Sequence, residues 1–125
     1  MAIAVVADNV RPIDKIYTAR IVSHATLTAG DLVYHDGTGI EVANGGAAAT
    51  GNVIGVVLQD ASSGTYVDVC TQGRVTGWTG LTAGAICYVS DTDGVLAHSA
   101  GTKTFAVGWA VSTTDIYVNP NATVA

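Results

Sequence analysis

The stretch "LTAGDLVYHDGTGI" at residues 27–40 returns, altered, as "LTAGAICYVSDTDGVL" at residues 81–96. The letters Leu27–Gly30 recur at Leu81–Gly84, an offset of 54 (81 minus 27). A Tyr stands four residues after each Gly, at Tyr34 and Tyr88, and an Asp-Gly pair closes each phrase, at Asp36-Gly37 and Asp93-Gly94. These are the letters of a turn that feeds a strand. Gly accepts the positive φ of a turn, and Asp-Gly between apolar runs signals a hairpin. Leu27 and Leu81 anchor each phrase in a core. None of this needs a ligand, so the phrase reads as a building unit rather than a catalytic motif.

The likeness extends beyond the quoted phrase. Gly55 in "VIGVVLQD" (53–60) stands against Gly108 in "FAVGWAVS" (105–112), an offset of 53. Tyr66-Val67 then aligns with Tyr117-Val118, with a turn two residues shorter in the second copy. Residues 25–71 and 79–119 are therefore expected to be two copies of one β-unit, with the Asp-Gly pairs at equivalent hairpins. Gly55 and Gly108, each inside a strand, predict bulges or sharp bends.

Further strands are expected at 64–75, 85–90 and 115–120, rich in Val, Ile, Tyr and Thr and bounded by Gly, Ser and Asp. Tyr66, Asp68 and Cys70 alternate with Val67 and Val69, the period of a strand. Turn signals come about every 8–12 residues, the spacing of a small barrel or sandwich. "GGAAATG" (45–51) reads as a loop with room for one helical turn. The fold class is all-β: a compact small β-barrel or sandwich of two related β-units with an N-terminal extended arm. Residues 1–20 are assigned to the arm and first strand, and 21–125 to the barrel. Within the first part, 1–12 are expected to lie on a neighbour and 16–22 to join the barrel.

Composition narrows the function. A chain of 125 residues is one domain and can bury a core without metals or disulfides. Hydrophobic residues make up 49% and charged residues 12%, about half the usual charged share. So lightly charged a surface is either small and polar or covered in part by other chains. The net charge is −5 and the five basic residues form no cluster, so no direct nucleic-acid partner is expected. No apolar run reaches the ~20 residues of a membrane span, and "MAIAVVADN" lacks the basic start of a secretion signal. A reducing cytoplasm is the expected place of synthesis, with Cys70 and Cys87 as buried free thiols rather than a disulfide.

Candidate chemistry is sparse. Asp91-Thr92-Asp93-Gly94 begins like a calcium loop but lacks its later oxygen ligands, and reads as a hairpin turn. His24, His35 and His98 show no metal-binding spacing and read as exposed or subunit-boundary residues. No nucleophile elbow is present, and the Gly-rich stretches lack the Lys of a phosphate loop. No enzyme activity, cofactor or metal is expected. Trp109 reads as core. Trp78, in "TGWTG" between the units, reads as a core plug or as a contact anchor.

The order "LTAGDLVYHDGTGIEVA … GNVIGVVLQDASSGTYVDVCTQGRVTG … LTAGAICYVSDTDGVL … FAVGWAVSTTDIYVNP" resembles the small decoration, or cement, proteins of tailed bacteriophage heads, over roughly residues 25–119. The resemblance implies a structural protein of the virion, a homotrimer on the outer capsid surface that binds the major capsid protein and stabilises the capsid. It also implies an arm that touches the capsid lattice and no catalytic residues. The arm supplies the capsid-contact candidates Ile3, Val5, Val6, Arg11, Pro12 and Lys15, with Trp78 as a secondary candidate. An apolar extended segment can add to a partner's sheet edge, and Pro12 would stop that strand short of the barrel. The alternative is a carbohydrate- or receptor-binding module of a phage tail or fibre, with Trp78 and the exposed turns as its site.

Overall fold

The computed structural model describes residues 3–12 and 17–120. In chain order the elements are β1 (Ala4–Val5), a 3-10 turn (Ala7–Asn9), β2 (Arg11–Pro12), β3 (Tyr17–Val22), β4 (Leu32–His35), β5 (Ile40–Val42), α1 (Ala48–Gly51), β6 (Gly55–Val57), β7 (Tyr66–Thr76), β8 (Trp78–Thr79), β9 (Ile86–Val89), β10 (Leu96–Ala97), β11 (Ala106–Ala110) and β12 (Asp115–Val118). Eight strands run antiparallel in the order β10-β9-β11-β12-β7-β6-β4-β5, a sheet that curls into a half-barrel. β2 and β3 pair along β7, and β1 with β8 forms a small second sheet. Outward from the β12–β7 seam, the order is the same both ways: β12-β11-β9-β10 and β7-β6-β4-β5. The fold is two related β-units.

The repeated phrase makes the same local structure twice. Gly30 N–H donates to Val57 O (2.8 Å) and Gly84 N–H to Ala110 O (2.7 Å). Asp31 N–H donates to Thr28 O and Ala85 N–H to Thr82 O, each at 3.0 Å. Gly30 and Gly84 close these turns at φ +94° and +86°, values that carry a steric cost for a side chain.

Two details of the alignment are corrected. Backbone bonds close the first hairpin loop from Asp36 to Gly39 and the second from Ser90 to Val95, so the second is two residues longer. Ser90, not Asp93, occupies the place of Asp36. Asp36 Oδ1 accepts the Thr38 and Gly39 N–H groups, and Ser90 Oγ accepts the Thr92 N–H. The Asp-Gly pairs thus share a hairpin but not a position in it. The last strand also shifts. Val57 faces Val69, and Ala110 faces Ile116, so Val69-Cys70 corresponds to Ile116-Tyr117. The connection is six residues shorter in the second unit (57 to 69 against 110 to 116), not two. Ladder pairing with β6 and β11 sets the register; the shared Tyr-Val letters do not.

Gly55 and Gly108 occupy equivalent places, and both are close-approach positions. A Cβ on Gly55 would collide with the Cys70 carbonyl oxygen, and one on Gly108 with that of Tyr117. Cys70 and Tyr117 are themselves equivalent. The β9–β11 register also shifts between Ala106 and Gly108, the bulge expected there.

The main core gathers Leu32, Val56 and Cys70 of the first unit with Cys87, Val107, Ala110 and Ile116 of the second. A second cluster, on the other side of the first unit, holds Leu27, Val33, Ile40, Val57, Val67 and Val69. Both cysteines are free and buried, and burial pushes their thiols up to about 11 (Cys70) and about 12 (Cys87).

The N-terminal segment is extended, yet it lies along its own barrel rather than standing clear for a neighbour. Ala4 and Val5 pair with Thr79 and Trp78, Val6 N–H donates to Gly77 O, and Arg11-Pro12 pair with Thr76 and Val75. Val10 belongs to the main core. The physical reason is the apolar sequence itself: Ile3, Ala7 and Val10 find buried partners within the same chain.

Candidate functional site

The strand ladders place an apolar row on the outer face of the second unit. Ile86 on β9 faces Trp109 on β11, Trp109 faces Tyr117 on β12, and Tyr117 faces Arg74 on β7. Directly opposed residues on antiparallel strands project to the same side, so four strands contribute one continuous row. Ile86 is 49% exposed and Trp109 41%, and the Trp109 and Tyr117 rings stack with centroids 4.7 Å apart. Gln72 donates to the Tyr117 hydroxyl at 3.4 Å. Arg74 closes the row by donating from Nε and Nη2 to Asp115 Oδ2 at 2.9 and 2.8 Å. Burial works to raise the Asp115 carboxyl. Hydrogen bonds from Thr76 and Thr114 and the Arg74 guanidinium outweigh it, so Asp115 stays below its ordinary range.

The parallel row beside it runs Asp115, Thr76, Arg11, because Thr76 on β7 faces Asp115 on one side and Arg11 on the other. Exposed Arg11 therefore extends the same outer surface. Of the arm residues singled out from sequence, Val5 and Val6 are 39% and 40% exposed and Ile3 is partly buried against the core. Pro12 has its backbone on β7, and Lys15 lies outside the described residues.

Trp78 takes the core-plug reading of its two expected ones, and Trp109, expected in the core, does not lie there. Trp78 is 3% exposed and packs in the main core under β1, so it offers no contact surface. Trp109 is the exposed one. Alternation puts Ala110 in the core and Trp109 outside, and the bulge at Gly108 turns Val107 inward as well, which obscures the period in the sequence.

A small cleft of about 100 Å³ under β1 is lined by Ile3, Val5, Trp78 and Leu96 with one carboxylate, Asp31. Burial raises the Asp31 carboxyl, and it serves the turn by accepting the Thr28 N–H. Every buried side-chain nitrogen or oxygen there has a hydrogen-bond partner. The described helices include none long and apolar enough to cross a membrane. No protein-family model, curated protein or solved structure matches this chain.

Proposed function

We propose that the chain is a structural virion protein that binds the outer surface of a phage capsid and stabilises it. The observation that carries this reading is the outer row Ile86–Trp109–Tyr117, an exposed apolar strip on a rigid sheet, continued by Arg74 and Arg11. Aromatic and Arg side chains are the groups that dominate protein contacts. A domain repeated many times over a lattice needs only modest affinity at each contact, because the copies act together. The capsid-facing part of the surface is assigned to Arg11 and the exposed arm residues Val5 and Val6, and the aromatic row to sister subunits of a trimer. Purified protein is mixed with heads that lack it and sedimented. Co-sedimentation that saturates at a fixed ratio to the major capsid protein is expected; protein left in the supernatant overturns the reading.

A second reading draws on the same row. A Trp–Tyr platform beside Gln72 and Arg74 is suited to a sugar ring, which would make the chain a carbohydrate-binding module of a tail or fibre. Saturable glycan binding lost in Trp109→Ser, with no binding to heads, would select it.

A further inference from the structure

We propose that His24, Asp36 and Glu41 form a binding site for one divalent transition-metal ion, which fastens the end of β3 to the β4–β5 hairpin. The three side chains come from separate places: the residue after the Ser23 bridge, the first residue of the hairpin loop, and the middle of β5. Their donor atoms lie within 4.8 Å of one another. His24 Nδ1 is 3.3 Å from Glu41 Oε2 and in direct contact with Asp36 Oδ2. With metal–ligand bonds of about 2.0–2.1 Å, neighbouring ligands on a tetrahedral ion stand about 3.3 Å apart; His24 Nδ1 and Glu41 Oε2 already have that spacing, while Asp36 Oδ2 must draw back from Nδ1 to admit the ion. One imidazole and two carboxylates suit zinc, cobalt or nickel better than calcium, which prefers oxygen throughout.

Backbone bonds build the cradle before any ion arrives. His24 N–H donates to Ile40 O at 2.9 Å, and Asp36 N–H to Gly39 O at 2.9 Å. Asp36 Oδ1 is held by the Thr38 and Gly39 N–H groups at 2.8 and 3.0 Å, which aims Oδ2 at the site. Such outer hydrogen bonds orient a ligating carboxylate and fix its charge. Neither carboxylate has a Lys or Arg among the described ion pairs. Among the described residues, the positive charge paired with the two of them in the absence of a metal is a proton on His24. Asp36 and then Glu41 favour that proton, so the imidazole sits above its ordinary range.

The second unit supplies a control within the same molecule. Its hairpin is built on the same ladder with Ser90 in the place of Asp36 and Ala97 in that of Glu41, since Tyr34 faces Glu41 and Tyr88 faces Ala97. Ser90 Oγ caps that turn, and Asn44 and Thr102 hold its Asp91 and Asp93 from outside the hairpin. The hairpin therefore forms without any member of the triad, so the fold does not require its convergence in the first unit.

The test titrates the chelator-treated full chain with zinc at neutral pH by calorimetry, and with cobalt by visible absorption. One ion per chain with micromolar affinity is expected, with tetrahedral cobalt bands. His24→Gln and Glu41→Gln should each weaken binding at least tenfold while circular dichroism is unchanged. Asp36 also shapes the turn and is left intact. Lowering the pH to about 5.5 should weaken binding by tenfold or more, because a proton competes for Nδ1. Millimolar affinity, or binding untouched by His24→Gln, overturns the site. So does paramagnetic broadening centred on His35 or His98.

Discussion

Leu32, Val56 and Cys70 in the first β-unit occupy the same ladder positions as Ile86, Trp109 and Tyr117 in the second. The first three are fully buried in the main core. Of the second three, Ile86 and Trp109 are exposed and Tyr117 is partly so. The two units build one backbone and give the same face opposite fates. The difference arises because the units do not pack symmetrically. This face of the first unit meets the opposite face of the second, which carries Cys87, Ala110 and Ile116, and the other side of the first unit has its own apolar cover from Leu27 and Ile21. Among the described residues, nothing of the chain covers the Ile86–Trp109 face of the second unit.

The sharpest way to break this comparison is a matched pair of truncations. Leu32→Ala should cost about 2–5 kcal/mol, because it leaves a cavity between the units. Ile86→Ala at the equivalent place should stay within about 0.5 kcal/mol, because water already reaches it. Urea unfolding of both variants decides it; similar losses would mean that the second unit's outer face is covered in solution.

Next in size is a functional effect. Trp109→Ser should break the trimer and, through the lost avidity, lower binding to heads at least tenfold, while changing the stability of the single domain by no more than about 1 kcal/mol. Val10→Ala should do the reverse, destabilising the domain by about 0.5–1.5 kcal/mol through the core and leaving the outer row intact. Sedimentation and thermal melts on the same preparations separate the two.

A smaller effect distinguishes the hairpins by pH. His24 holds its proton more tightly folded than unfolded. Its contribution is complete below its ordinary value of 6.5 and fades as the pH rises through the higher folded value. Asp36 is displaced well below 3.8, first by the Gly39 N–H, then by His24 and the Thr38 N–H. Its contribution is complete above 3.8 and fades as the pH falls toward the depressed value. In metal-free protein the β4–β5 hairpin should therefore open least between about pH 4 and 6.5. Above that window its amides should lose protection, corrected for intrinsic exchange, while those of β9–β10 do not. His24→Gln should abolish the alkaline loss. In acid both hairpins should loosen, because the Thr102 N–H and hydroxyl also hold Asp91 below its ordinary range in the second loop.

The smallest expected signal is a silence. Cys70 and Cys87, raised to about 11 and about 12 by burial, should resist a thiol reagent at pH 8 until the protein unfolds. Rapid labelling of Cys87 alone would show the second unit opening separately.

The all-β class, the two units and the strand windows were legible in the letters because turns are local: Leu-Thr-Ala-Gly writes the same turn twice. The single turn of α1 inside 45–51 was legible for the same reason. What stayed hidden depends on distant partners. The arm's place on its own barrel follows from pairing Val5 with Trp78, 73 positions away, and no window of sequence contains both. The register of β7 and β12 follows from β6 and β11, so the Tyr-Val match misled. The misreading of Trp109 as core has the same origin, since its exposure depends on how the second unit meets the first. Convergence of His24, Asp36 and Glu41 was readable only once Ile40 was known to bond back to His24.

Thr76 on β7 lies between Arg11 on one side and Asp115 on the other. That arrangement sets the order of events during folding. The strand at the middle of the sequence must wait for segments from near both ends before its ladder is complete. Both closures are long, from 11 to 76 and from 76 to 115, and each loop is closed against chain entropy before its hydrogen bonds form. The domain should accordingly collapse slowly for its size, on the millisecond-to-second scale of β-proteins dominated by distant pairings. On the ribosome, β7 gains its last neighbour only after residues 115–118 have emerged, so the first unit, once made, waits with Leu32, Val56 and Cys70 unsealed until the second has followed it.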